Sequence, residues 1–95
     1  MLKIEKAEYI GDYKIHLAFN NGKTGTVNLE ETIKNDNREI FLRLKDKNVF
    51  RSFAITHSTI TWFDGLDVAP EYLFYLTFMG MSEFQEQFRE WGYKR

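Results

Sequence analysis

The chain has 95 residues, 43% apolar and 28% charged, which is the size and balance of one small globular domain. Its 13 basic and 14 acidic residues cancel to a net charge of −1; this excludes wholesale disorder and argues against a protein whose main task is coating nucleic acid or an anionic membrane. With no cysteine in the chain, disulfides, thiol nucleophiles and cysteine-ligated zinc are excluded as well.

In chain order, Leu2 and Ile4 share one parity and Ala7 and Tyr9 the other, so a first strand carries a bulge near Glu5-Lys6 before a Gly11-Asp12 turn. Tyr13, Ile15, Leu17 and Phe19 then alternate with Lys14, His16 and Ala18, the pattern of a half-buried strand. A two-residue Asn21-Gly22 turn would set Leu17 opposite Thr26 and turn Val27 away from the apolar face. A three-residue loop of Asn20, Asn21 and a left-handed Gly22 pairs Ile15 with Val27 and Tyr13 with Leu29, and this bulged register is the expected one. Asn28 with Glu31 three residues on reads as a capping box for a short helix to about Lys34, and Asn35-Asp36-Asn37 ends it.

Ile40, Phe41 and Leu44 sit at helical spacing, closed by Lys45-Asp46-Lys47-Asn48. Phe53 and Ile55 alternate with Ala54 and Thr56, and a reversal at Ser58-Thr59 predicts a second hairpin with Ile55 opposite Trp62. Asp64-Gly65 reads as a turn. Pro70 fits the first position of a helix carrying Tyr72, Leu73, Leu76 and Met79, interrupted at Gly80. Ser82 with Gln85 marks another helix start, Phe84, Phe88 and Trp91 form one stripe, and Gly92 is the stop. The order predicts an α+β fold, a small antiparallel sheet built from hairpins with short helices and a C-terminal helical segment. The expected organisation is a single domain over residues 1–95, a core over 1–76 and a helical extension over 77–95.

The chemical motifs are weaker than the structural ones. Gly22-Lys23-Thr24 resembles the end of a phosphate-binding loop, but Leu17 stands where that motif needs glycine and no helix follows. His16 reads as solvated. His57 shares parity with Phe53 and Ile55, which predicts a place at the end of an inward face, hydrogen-bonded to backbone. Asp64, Asp67 and Glu71 form the densest carboxylate group, better explained by a turn and a helix amino terminus than by a metal or an acid–base pair. Arg38, Arg43, Lys45, Lys47 and Arg51, against Glu39 and Asp46, give a local excess of +3 interleaved with Phe41, Phe50 and Phe53. Such a face suits a single-stranded nucleic acid or an acidic partner.

Taken together, Asp12 to Phe19, the Asn21-Gly22 turn, Phe41-Leu42-Arg43-Leu44 with Asp46, Phe50, and Trp62 followed by Leu66-Asp67-Val68-Ala69-Pro70-Glu71 resemble the bacterial domain-of-unknown-function family numbered 2442. The resemblance runs from about Met1 to Leu76. It implies a small α+β domain, either stand-alone or joined to a helix-turn-helix module, that works beside a small neighbouring gene product in the manner of a toxin–antitoxin pair. No activity or cofactor comes with it. The residues after Leu76 are too few for a helix-turn-helix domain, which counts against direct operator binding.

The leading expectation is therefore a non-enzymatic protein-interaction module, without cofactor or metal, that binds a protein partner or itself. Its candidate surface comprises Trp62, Asp67, Pro70, Glu71, Phe84, Phe88 and Trp91, because so many aromatics near the carboxyl end exceed what one small sheet can cover. The alternative is a nucleic-acid-binding accessory regulator using the basic face of Arg38, Arg43, Lys45, Lys47 and Arg51. An enzyme acting through His57 with Asp64 or Asp67 requires those groups to converge in a cleft. The amino terminus has no apolar signal region, and the apolar uncharged stretch from Tyr72 to Ser82 is too short to span a bilayer. The expectation is a cytoplasmic protein without membrane contact.

Overall fold

In the computed structural model, which describes residues 1–63 and 65–93, the amino-terminal third folds as a meander of three antiparallel strands. These are β1 (Ile4–Gly11), β2 (Lys14–Phe19) and β3 (Thr24–Asn28), in the order β1-β2-β3. The expected hairpin register is the one formed: Ile15 pairs with Val27, the Leu29 amide donates to the Tyr13 carbonyl at 3.0 Å, and Gly22 adopts φ +85°. Only that register brings Ile15, Leu17, Phe19, Val27 and Leu29 to one buried face. β1 is irregular between Ile4 and Lys6, as the parity change predicts, and again between Tyr9 and Gly11.

The first turn differs from expectation. Its central residues are Asp12 and Tyr13, both with positive φ, so Tyr13 leaves the strand and β2 begins at Lys14. Its hydroxyl donates to the Lys45 carbonyl and its ring meets Phe50 edge-on at 5.3 Å. These contacts hold an aromatic residue in a conformation that favours glycine or asparagine.

Three short helices follow: α1 (Glu30–Lys34), α2 (Glu39–Arg43) and α3 (Lys47–Phe50). The Asn28 side chain accepts the Glu30 amide, half of the expected capping box. The reciprocal bond from Glu31 is not formed among the described residues, because Leu29, not Asn28, occupies the cap position. The Lys45–Asn48 segment, expected as a helix stop, instead starts α3, with Asp46 accepting from the Asn48 amide at 2.8 Å.

A second antiparallel sheet contains β4 (Ala54–Thr56), β5 (Thr59–Trp62) and β6 (Leu66–Asp67) in that order. Its hairpin pairs Ile55 with Ile60, not with Trp62, because the turn is centred on His57-Ser58, both at positive φ. His57 is thus an exposed turn residue and not the end of an inward face. Asp67, expected beside a helix terminus, pairs with Thr61 in β6. The Asp64 half of the predicted Asp64-Gly65 turn lies outside the described residues; the Gly65 amide donates to the Trp62 carbonyl. The two sheets meet where the Ile4 amide of β1 donates to the Ser58 carbonyl at 2.8 Å.

Helix α4 (Pro70–Phe78) starts on Pro70 as predicted and stops before Gly80. After a 3₁₀ turn over Ser82–Phe84, α5 (Gln85–Glu90) is capped by Trp91, and Gly92 with a φ of +85° closes the end while the Tyr93 amide reaches the Phe88 carbonyl. α4 packs on β3 at Gly25, where an added Cβ would lie 2.6 Å from Thr77 Cγ2 and 3.1 Å from the Phe78 ring. One core results, holding two groups of packed aromatic rings. Tyr9, Tyr13, Phe50, Phe53 and Trp62 form one group, and Phe19, Phe74, Phe78, Phe84, Phe88 and Trp91 belong to the other. The fold is α+β, with two three-stranded antiparallel sheets where one small sheet was expected.

Candidate functional site

The aromatic surface expected near the carboxyl end is turned inward. Trp62, Phe84 and Phe88 are exposed by only 2%, 9% and 0%, and Trp62 Nε1 donates to the Phe50 carbonyl at 2.8 Å. Phe84, Phe88 and Trp91 all pack against Phe74, so the aromatic surplus caps the chain's own core. Trp91, Pro70 and Glu71 are half-buried and Asp67 is exposed. Of these, Glu71 and Trp91 come together, in an open cleft of about 460 Å³ beside Asn20, Asn21 and Met1; Asp67 lies apart, in the second sheet.

The basic face is divided. Lys47 pairs with Asp12 at 2.9 Å and lies 5.7 Å from the centre of the Tyr13 ring, while Arg51 stands over Tyr9 at 5.5 Å. Because Tyr9 and Tyr13 flank the same Phe50 ring, Lys47 and Arg51 are gathered on one side of the molecule. Arg43 stacks on Phe63 at 4.0 Å. Arg38 is engaged by Asp36 at 2.7 Å and covers Phe41; Lys45 contributes its backbone carbonyl, to Tyr13. Arg43 and Arg51 have no carboxylate partner within 4.0 Å among the described residues. The hydrogen bond from Lys47, and then its charge, holds the Asp12 carboxyl below the ordinary aspartate value, and the Lys47 ammonium is raised in return. Arg38 lowers Asp36 in the same way.

No hydrogen bond or ion pair joins His57 to Asp67 among the described residues, and no group of three His, Asp or Glu suited to a metal occurs among them. His16 lies on the outer face of the first sheet, with Nδ1 3.1 Å from Thr26 Oγ1.

A third surface was not legible in the sequence. The Phe19 amide bonds the Lys23 carbonyl, and the Leu29 amide the Tyr13 carbonyl. In an antiparallel ladder the residues between such pairs turn their backbone groups the other way, so Thr24, Thr26 and Asn28 direct their amides and carbonyls away from β2. All three residues are exposed. Thr26 and Asn28 lie in a trough of about 630 Å³, walled by Glu30, Glu31 and Thr32 of α1 with Asn35 and Asp36 on one side and by Tyr72 and Leu76 of α4 with the following Met79 on the other. Met79 is 51% exposed. A run of Thr, Gly, Thr, Val and Asn without charge or proline was the available signal; the walls come from tertiary packing.

Residues 4–78 match the family model described as "Protein of unknown function (DUF2442)". The chain belongs to the DUF2442 family. The matched segment ends with α4, so α5 and its aromatic stripe lie beyond it. A solved structure of similar fold is that of a protein named "Putative DNA Binding Protein" from Nitrosomonas europaea. The TM-score is 0.74 at 12% identity, over 100% of this chain and 63% of the other. The DUF2442 chain therefore spans less than two thirds of that protein, and the likeness is one of fold. A comparison with curated proteins finds no match. No helix among the described residues is long and apolar enough to cross a membrane.

Proposed function

We propose that this DUF2442 domain is a non-enzymatic protein-interaction module, working as one member of a two-protein system in the cytoplasm. The observation that carries this reading is the exposed edge of β3, lying in a trough that joins apolar side chains of α4 to carboxylates of α1. An unpaired strand edge beside apolar surface is a protein-binding device, since backbone hydrogen bonds supply affinity and flanking side chains supply selection. Binding, not bond chemistry, is the task proposed. Affinity capture of the tagged protein from its native cells, at low and high salt, tests it. A stoichiometric protein retained at high salt is the expected result; recovery of the bait alone, or of nucleic acid alone at low salt, overturns it.

A second reading is favoured by Lys47 and Arg51, held over Tyr13 and Tyr9, and by the name of the structural neighbour. Cations held over aromatic rings suit a nucleic-acid strand. Binding that falls steeply with salt and disappears in a Lys45/Lys47/Arg51 triple alanine variant is its expected signature. Equal binding by the variant and the parent eliminates it.

A further inference from the structure

The two edges of the first sheet are built differently. β1 carries two irregularities and the charges of Glu5, Lys6 and Glu8, and its Ile4 end is tied to the second sheet. Bulges and charges of this kind keep an edge from accepting further strands. β3 has none of them: its register against β2 runs without a shift over all five residues, and it holds no charge and no proline. An unguarded edge is a template for a further strand.

We propose that β3 receives an extended, lysine- or arginine-bearing segment of a partner protein, which adds as a fourth strand to the first sheet within the trough between α1 and α4. This rests on the protein-interaction reading and names the class of partner. The trough is acidic. Among the described residues, Glu30, Glu31 and Asp36 line it and no basic side chain does; Glu31 has no cation within 4.0 Å among them. Glu30 is held by the exposed Lys34, a pair that a bound cation exchanges at little cost, while Asp36 is gripped by the Arg38 guanidinium and amide, so Glu30 and Glu31 are the carboxylates open to a partner. Alternate side chains of an added strand point to opposite faces, so one set of its residues meets Leu76, Met79 and Tyr72 while cations at the ends reach the carboxylates. A second copy of the chain fits less well. It would bring its own α1 and α4 walls into the space that a single extended strand occupies.

The test is amide hydrogen exchange on isotope-labelled full-length protein, with a millimolar heptapeptide of alternating valine and lysine and its valine–glutamate counterpart. The lysine peptide is expected to slow exchange at Thr24, Thr26 and Asn28 by about tenfold, as one backbone hydrogen bond each implies, and the glutamate peptide to leave them unchanged. Thr26→Pro removes an outward donor without breaking the β2–β3 ladder and should abolish the protection. The double variant Glu30→Lys/Glu31→Lys, which keeps every backbone group, should reverse the preference between the peptides. Unchanged exchange at these amides, or equal effects of both peptides, overturns the proposal. Protection that grows with protein concentration alone makes a second copy the occupant and also overturns it. A captured partner held equally by the parent and the Thr26→Pro bait overturns strand addition while the interaction reading stands. Conversely, protection by the lysine peptide combined with capture of the bait alone supports the groove and overturns that reading.

Discussion

Two turns are made from residues poorly suited to them. Asp12-Tyr13 and His57-Ser58 all have positive φ, where a residue with a Cβ is destabilised by ~1–2 kcal/mol relative to glycine. The Ser58 carbonyl accepts the Ile4 amide that links the two sheets, so the turn is held by a contact made through backbone alone. Ser58→Gly keeps that contact and relieves the strain; we expect stabilisation by up to ~1 kcal/mol, read as a higher denaturant midpoint. A lower midpoint would mean that the serine side chain contributes more than the strain costs. The same scale governs the Asp12–Lys47 pair. Because the Asp12 pKa is lowered in the folded state, its contribution is present above the unfolded value of ~3.9 and is lost as pH falls through the folded value. Lys47→Met should return the Asp12 titration, followed by NMR, to the ordinary aspartate range and remove that part of the acid dependence. An unmoved midpoint would show that the lysine is not the cause.

At the scale of elements, the contact between α4 and β3 depends on Gly25. The Thr77 hydroxyl donates to the Leu73 carbonyl at 2.6 Å, which fixes its methyl group against the glycine and leaves a new Cβ no room. Gly25→Ala should therefore cost ~1–3 kcal/mol as overpacking does. Thr77→Ser, which deletes the methyl and keeps the hydroxyl, should recover part of it in the double variant. Gly80→Ala, with nothing within 4 Å of the new Cβ, is the neutral control; equal effects at both glycines would place the cost in backbone conformation and not in the contact. The first hairpin was legible because five apolar residues had to share one face, and only one register allowed it. Ile55 and Trp62 offered a plausible pairing, but the His57-Ser58 turn has no Asn or Gly to announce it. α3 buries only Phe50, too little to show periodicity, and β6 is two residues long, recognisable only by its partner. The Phe84, Phe88 and Trp91 stripe was visible. What it would cover depended on the position of Phe74, which spacing does not supply.

At the scale of the molecule, the two small sheets and five short helices of the described residues share one core that holds two groups of packed aromatic rings. None of the helices among the described residues exceeds nine residues, and helices so short are not stable alone in water. The first sheet likewise needs α4, because its buried face is completed by Phe74 and Phe78 against Phe19. Each part thus depends on the others, and unfolding should be a single cooperative transition. The two tryptophans test this directly. Trp62 sits in the second sheet bonded to α3, and Trp91 caps α5 against Phe74 and Phe88. In Trp91→Phe the remaining fluorescence reports the second sheet, and in Trp62→Phe the carboxyl-terminal segment. Each variant's fluorescence midpoint in urea should coincide with its own far-ultraviolet dichroism midpoint, even if loss of the Trp62 hydrogen bond lowers both by ~1–3 kcal/mol of stability. A Trp91 transition at lower urea than the dichroism would make the segment after α4, which lies outside the family match, a separately unfolding addition. Coincidence would make it part of the domain, with its aromatic residues committed to the core and therefore withheld from any partner that the β3 edge recruits.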